Sequence, residues 1–140
     1  MLIDWTDDFD RWFTRLEERV DAGDDEARKT YALVRFQLTL LQELDGPPTQ
    51  ESKMLKQVRQ SKQYPVWRLS HPYREGLAVR TIVWFADDDT AVVALFANNK
   101  AQMGDIFYAS VGSRADQAIE NYLRRIRSDP PQDDQEGDAS

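Results

Sequence analysis

The sequence predicts an α+β domain: two N-terminal helices packed on a small antiparallel sheet, followed by a C-terminal helix. Three observations carry this. Apolar residues recur at helical spacing over residues 7–44. Three β-prone runs, Pro65–Ser70, Leu77–Phe85 and Thr90–Ala97, then follow closely. Helical periodicity returns after Ser113. At 140 residues, one domain is the expectation, placed at 1–128, with 129–140 as a disordered acidic tail.

Phe9, Trp12, Phe13, Leu16 and Val20 mark an amphipathic first helix over Asp7–Asp21. Thr6 or Asp7 can cap it, and Gly23 ends it. The second helix runs from about Asp25 to Leu44. Its apolar residues cover more than one stripe, so it should be buried more deeply than the first. Asp45-Gly46-Pro47-Pro48 breaks it. Glu51–Arg59 is short and ambiguous; one or two helical turns fit it. Ala86–Asp89 is a tight polar connection, so the second and third β-runs form a hairpin. Ser113-Arg114-Ala115-Asp116 reads as a capping box opening the last helix, which carries Ala115, Ile119, Tyr122, Leu123 and Ile126 and fades by about Ser128.

Composition excludes several classes. There is no Cys, which removes disulfides and thiolate metal sites, and a single His disfavours a His-rich zinc site. No metal or cofactor is expected. No run approaches the ~18 apolar residues of a membrane span. The acidic N-terminus lacks the basic-then-apolar order of a signal peptide. A cytoplasmic protein is the expectation. The net charge of −7 hides a strong asymmetry. Residues 1–26 hold ten Asp/Glu against three Arg, and residues 129–140 hold five acids and no base. From Lys53 to Arg80 the balance reverses, with seven Lys/Arg against Glu75 alone. Acidic ends around a basic middle suggest a polyanion-facing patch; a solvated mixed-charge surface is the plainer reading.

Strand alternation sharpens the basic patch. Trp67 and Leu69 share one face of the first β-run, and Val79 and Val83 share one face of the second. Aligning these apolar sets forces Arg68 and Arg80 onto the opposite, common face. If Leu69 pairs with Val79, the two arginines are direct neighbours. Like charges so placed repel, so the pair binds an anion or is neutralised by Asp105, Asp116 or the N-terminal acids. The Arg fork matches phosphate oxygens. Lys100, at the end of the third run, adds a further cation. Trp84 shares the face of Arg80 and either stacks on a base or fills the core. Asp87-Asp88-Asp89 reads as a solvated turn, since a hard cation needs more oxygens.

Val66-Trp67-Arg68-Leu69-Ser70, Leu77–Phe85, and Val92–Phe96 leading to Asn98-Asn99-Lys100 together resemble the RelE/ParE superfamily of small bacterial toxins, especially its HigB-like, phage-associated branch. The resemblance covers roughly residues 5–126. It implies the toxin of a type II toxin–antitoxin system: a metal-independent, translation-associated mRNA endoribonuclease, ribosome-dependent or free, held in check by a helix-turn-helix antitoxin. Such enzymes drive a ribose 2′-hydroxyl onto the adjacent phosphate. On this resemblance Arg68 and Arg80 stabilise phosphate charge, Lys100 acts electrostatically or in proton transfer, and His71 and Tyr108 are candidate acids or bases. Two alternatives stay open: a ParE-like non-enzymatic inhibitor of a host protein such as DNA gyrase, and a catalytically dead module that only binds a partner. Direct DNA binding by the isolated chain is not expected from its acidic ends.

Overall fold

The computed structural model describes residues 1–59, 63–70, 79–98 and 104–128, with side chains described for all of these but 97–98 and 104–109. The described residues form an α+β fold with three helices and a five-stranded mixed sheet: β1 (Leu2–Trp5), α1 (Asp7–Asp21), α2 (Asp25–Gln42), β2 (Leu55–Gln57), β3 (Val66–Leu69), β4 (Val79–Phe85), β5 (Thr90–Asn98) and α3 (Gly104–Ser128). The sheet order is β1-β5-β4-β3-β2. The expected tail, 129–140, lies outside the described residues.

Three elements differ from the sequence expectation. The sheet is not purely antiparallel, because Leu2–Trp5 pairs parallel with Thr90–Val93. Four residues of LIDW carry too little alternation to announce a strand; pairing with β5 makes them one. Within Glu51–Arg59 the structure forms strand β2, with Leu55 against Leu69 and Gln57 against Trp67. Its Leu55 is only 2% exposed, so tertiary burial decides a segment whose local pattern was neutral. Helix α3 begins at Gly104 rather than Ser113. Asp116 therefore caps no helix start. Its two carboxylate oxygens instead accept the backbone N–H groups of Gln63 (3.1 Å) and Tyr64 (3.1 Å), fixing the approach to β3.

The N-terminal helices follow their local signals. The Thr6 hydroxyl accepts the Phe9 N–H and donates to the carbonyl of Ala94, so one buried side chain caps α1 and ties it to β5. Gly23 follows α1 at φ +90°, the left-handed conformation that glycine adopts without steric cost. Asp24 caps α2 by accepting the Ala27 N–H. That bond first, and the Arg19 guanidinium next, hold the Asp24 carboxyl below its ordinary range.

Both faces of the sheet are covered. The odd-numbered residues Trp67, Leu69, Val79 and Val83 pack with Phe9, Leu16, Val34 and Leu41 of α1 and α2. The other face places Val66, Ile82, Ala94 and Leu95 against Val111, Ala115 and Ile119 of α3. A bulge lets β5 serve both: pairing passes from Val83↔Val93 to Ile82↔Leu95, leaving Ala94 as an extra residue and reversing the alternation beyond it. Phe96 thereby joins the α1/α2 side, packing with tilted rings at centroid distances of 4.9 Å from Phe9 and 4.5 Å from Trp12. Helix α2 is the more deeply buried of the two, as its wide apolar stripe required; Val34, Gln37 and Leu41 are fully enclosed.

Buried Gln37 is held by two hydrogen bonds. Its amide donates to the Val79 carbonyl at 3.0 Å, and its carbonyl accepts from the Thr81 hydroxyl at 2.6 Å. The pair satisfies polar groups that would otherwise be stranded in the core, and it locks α2 to the start of β4.

Candidate functional site: a basic row on the sheet

The register of β3 and β4 places the two arginines. Trp67 pairs with Val83, Arg68 with Ile82 and Leu69 with Thr81. Arg68 and Arg80 therefore share a face, as the apolar alignment required. They are diagonal neighbours rather than directly opposed, because the register is two residues away from the Leu69–Val79 pairing. Diagonal positions lie about 7–8 Å apart at Cα, within reach of long side chains. The shift preserves the faces, since the side-chain period is two residues.

A third cation joins them from the strand that the sequence pattern left undecided. Lys56 of β2 pairs directly with Arg68. Lys56, Arg68 and Arg80 form an oblique row across three neighbouring strands, on the side of the sheet that α3 covers. All three are half-buried. The Nε and NH1 atoms of Arg80 are buried, although the residue as a whole is only partly so. Arg68 and Arg80 also make contacts within the fold. The signal for Lys56 was its charge alone; its position became informative only with the strand pairing.

Several acids that could pair with such a row are engaged elsewhere. Asp7 pairs with Arg125 at 2.9 Å, Asp8 with Arg11 at 2.8 Å, and Asp4 accepts the Tyr122 hydroxyl at 2.6 Å. Burial first, then the bond to Asp4, raises the Tyr122 hydroxyl far above its ordinary value. Glu120 accepts from the Tyr64 hydroxyl and from the Gln63 amide, and the bond to Glu120 is the main cause of a raised Tyr64 pKa.

The remaining sequence candidates fall as follows. His71 and Lys100 lie outside the described residues. Tyr108 belongs to α3, and its side chain lies outside them too. Asp105, named as a counter-charge, is in the first turn of α3, and its side chain is likewise not described. Trp84 packs edge-to-face on Tyr64 at 5.4 Å and joins the α3-side core, which favours its packing role. The Asp87 carboxylate accepts the Asp89 N–H at 2.8 Å, so the acidic hairpin is a self-bonded turn. Among the described residues, no group of three His, Cys, Asp or Glu is placed to hold a metal ion. No helix among them is long and apolar enough to cross a membrane.

Chemically, three cations spaced over three strands can grip successive anionic oxygens. A partly buried guanidinium acts in a medium of lower dielectric than water, where its attraction for phosphate is stronger. Compared with protein-family models, curated proteins and solved structures, the chain matches none.

Proposed function

We propose that the chain is the toxin of a type II toxin–antitoxin pair and a metal-independent, translation-associated mRNA endoribonuclease of the RelE/ParE kind. The observation that carries this reading is the placement of Arg68 and Arg80 as diagonal neighbours on one covered face. The ribose 2′-oxygen attacks the adjacent phosphorus, and the bond to the 5′-oxygen of the next nucleotide breaks. A base takes the 2′-hydroxyl proton, and an acid gives one to the leaving oxygen. Negative charge grows on the non-bridging oxygens, where Arg68 and Arg80 stabilise it. Lys56 adds attraction for the neighbouring phosphate. Lys100, His71 and Tyr108 are the candidates for the proton transfers. A helix-turn-helix antitoxin is the proposed partner, and it would carry the DNA binding of the complex.

The test is to incubate the chain with translating ribosomes and map new RNA ends. Site-specific ends that disappear with folded Arg80→Ala support the reading. Growth inhibition without new ends, together with inhibited gyrase supercoiling, would instead favour the ParE-like alternative.

A further inference from the structure

The sheet edge opposite β2 carries a second feature that the RNA reading does not use. Among the described residues, strand β1 is an edge strand paired with β5 alone. The Leu2 N–H donates to the Asp89 carbonyl and the Thr6 N–H to the Val93 carbonyl. In a parallel ladder this directs the main-chain groups of even residues inward, and those of Ile3 and Trp5 outward. The outward groups of Trp5 are occupied: its N–H donates to the Asp4 carboxylate at 2.8 Å, and its carbonyl accepts from Arg125 at 3.4 Å. The edge is thus closed at Trp5, and Ile3 directs its N–H and carbonyl outward.

Beside Ile3 lies an apolar groove of about 490 Å³, between β1 and the two N-terminal helices. Ile3, Phe9, Phe13 and Leu38 line it, and Asp10 stands on its α1 wall. Two large apolar residues at this edge remain exposed, Leu2 at 70% and Trp5 at 43%. Helix α1 carries six Asp/Glu against three Arg; Asp7 and Asp8 are already ion-paired, and Asp10 is the carboxylate that lines the groove. An apolar groove with an acidic wall beside outward main-chain groups fits one kind of occupant.

We propose that this edge docks an extended partner segment, apolar in its middle and basic at its ends, by adding a short strand to β1. Main-chain bonds to Ile3 set its direction, apolar side chains enter the groove, and basic ends meet the acidic α1 wall. Closure of the edge at Trp5 limits the added ladder to about three residues. A second copy of the chain fits poorly, because pairing edge to edge would bring two acidic α1 helices together. The groove lies on the α1/α2 side of the sheet, away from the basic row, so the inference stands independently of RNA cleavage.

The test uses the full ¹⁵N-labelled chain and the probe acetyl-Lys-Leu-Val-Leu-Lys-amide, with a twin bearing Glu at both ends. The basic peptide should shift the Ile3, Phe13 and Leu38 amides and slow hydrogen exchange at Ile3. The acidic twin should bind at least tenfold more weakly. Asp10→Lys, a change at an exposed position, should reverse the preference. Backbone N-methylation of the central Val or Leu should reduce binding at least tenfold by removing a strand donor. Failure of the basic peptide to bind, equal binding of the twins, indifference to methylation, or a chain dimer that the peptide does not displace would each overturn the proposal.

Discussion

The two faces of the sheet solve different problems. The α1/α2 face is largely apolar, and its deepest polar device among the described residues, Gln37 with Thr81 and the Val79 carbonyl, is internally satisfied. The α3 face is divided. Val66, Ile82, Ala94 and Leu95 lie in a core under α3, while Lys56, Arg68 and Arg80 hold three cations on the same surface. Lys56 and Arg68 are even directly paired, an arrangement that costs stability on an ordinary sheet. One face is a nearly continuous core, and the other sets three cations beside a smaller one. A substitution on the first should therefore move stability, and one on the basic row should move anion chemistry.

The largest expected effect is on the apolar face. Leu41 is fully enclosed, and Leu41→Ala should lower unfolding free energy by about 2–5 kcal/mol in chemical denaturation. The proposed RNA cleavage should survive below the unfolding transition. On the basic row, Arg80→Ala should reduce the proposed cleavage by about 100- to 1,000-fold, equivalent to roughly 3–4 kcal/mol of transition-state stabilisation. Its melting temperature should move much less than that of Leu41→Ala; the reverse order would erase the contrast between the faces.

The polar device sharpens the comparison. Gln37→Ala should cost about 1–3 kcal/mol, because it strands the Thr81 hydroxyl and the Val79 carbonyl. Adding Thr81→Val in a Gln37→Leu background should recover part of that loss in equilibrium unfolding. Non-additivity of the two changes is the expected signature of coupled neighbours. A smaller effect belongs to Lys56→Gln, which should leave stability nearly unchanged. It should lower the salt dependence of the proposed RNA binding by about one cation's share in a fluorescence titration.

The smallest effect is a pH limb. The Tyr122 pKa is raised in the fold, so its stabilising contribution is complete below the unfolded value near 10. It is lost as pH rises from there towards the folded value. Tyr122→Phe should flatten the alkaline fall of stability, measured by urea midpoints at pH 9 and above. An unchanged alkaline limb would remove the Tyr122 hydroxyl, kept neutral first by burial and then by its bond to Asp4, as its cause.

Much of this division was legible in the chain. Helices α1 and α2 announced themselves through apolar periodicity, and α1 ends where Thr6 and Gly23 place its limits. Alternation in β3 and β4 put Arg68 and Arg80 on one face, because parity survives a two-residue slip. The slip itself was invisible. Leu69 against Val79 and Leu69 against Thr81 satisfy the same alternation, and the buried Thr81 gains its place by bonding Gln37, a residue 44 positions away.

Local pattern by itself determined the α+β class, the two N-terminal helices, the β4–β5 hairpin and the common face of the two arginines. Each depends on side-chain period or turn chemistry within a few residues. Tertiary structure alone decided the strands β1 and β2, the early start of α3 and the membership of Lys56 in the basic row. Leu2–Trp5 and Leu55–Gln57 are too short to carry a period of their own. They become strands because β5 and β3 offer unpaired main-chain groups, and backbone N–H and C=O groups removed from water must find partners.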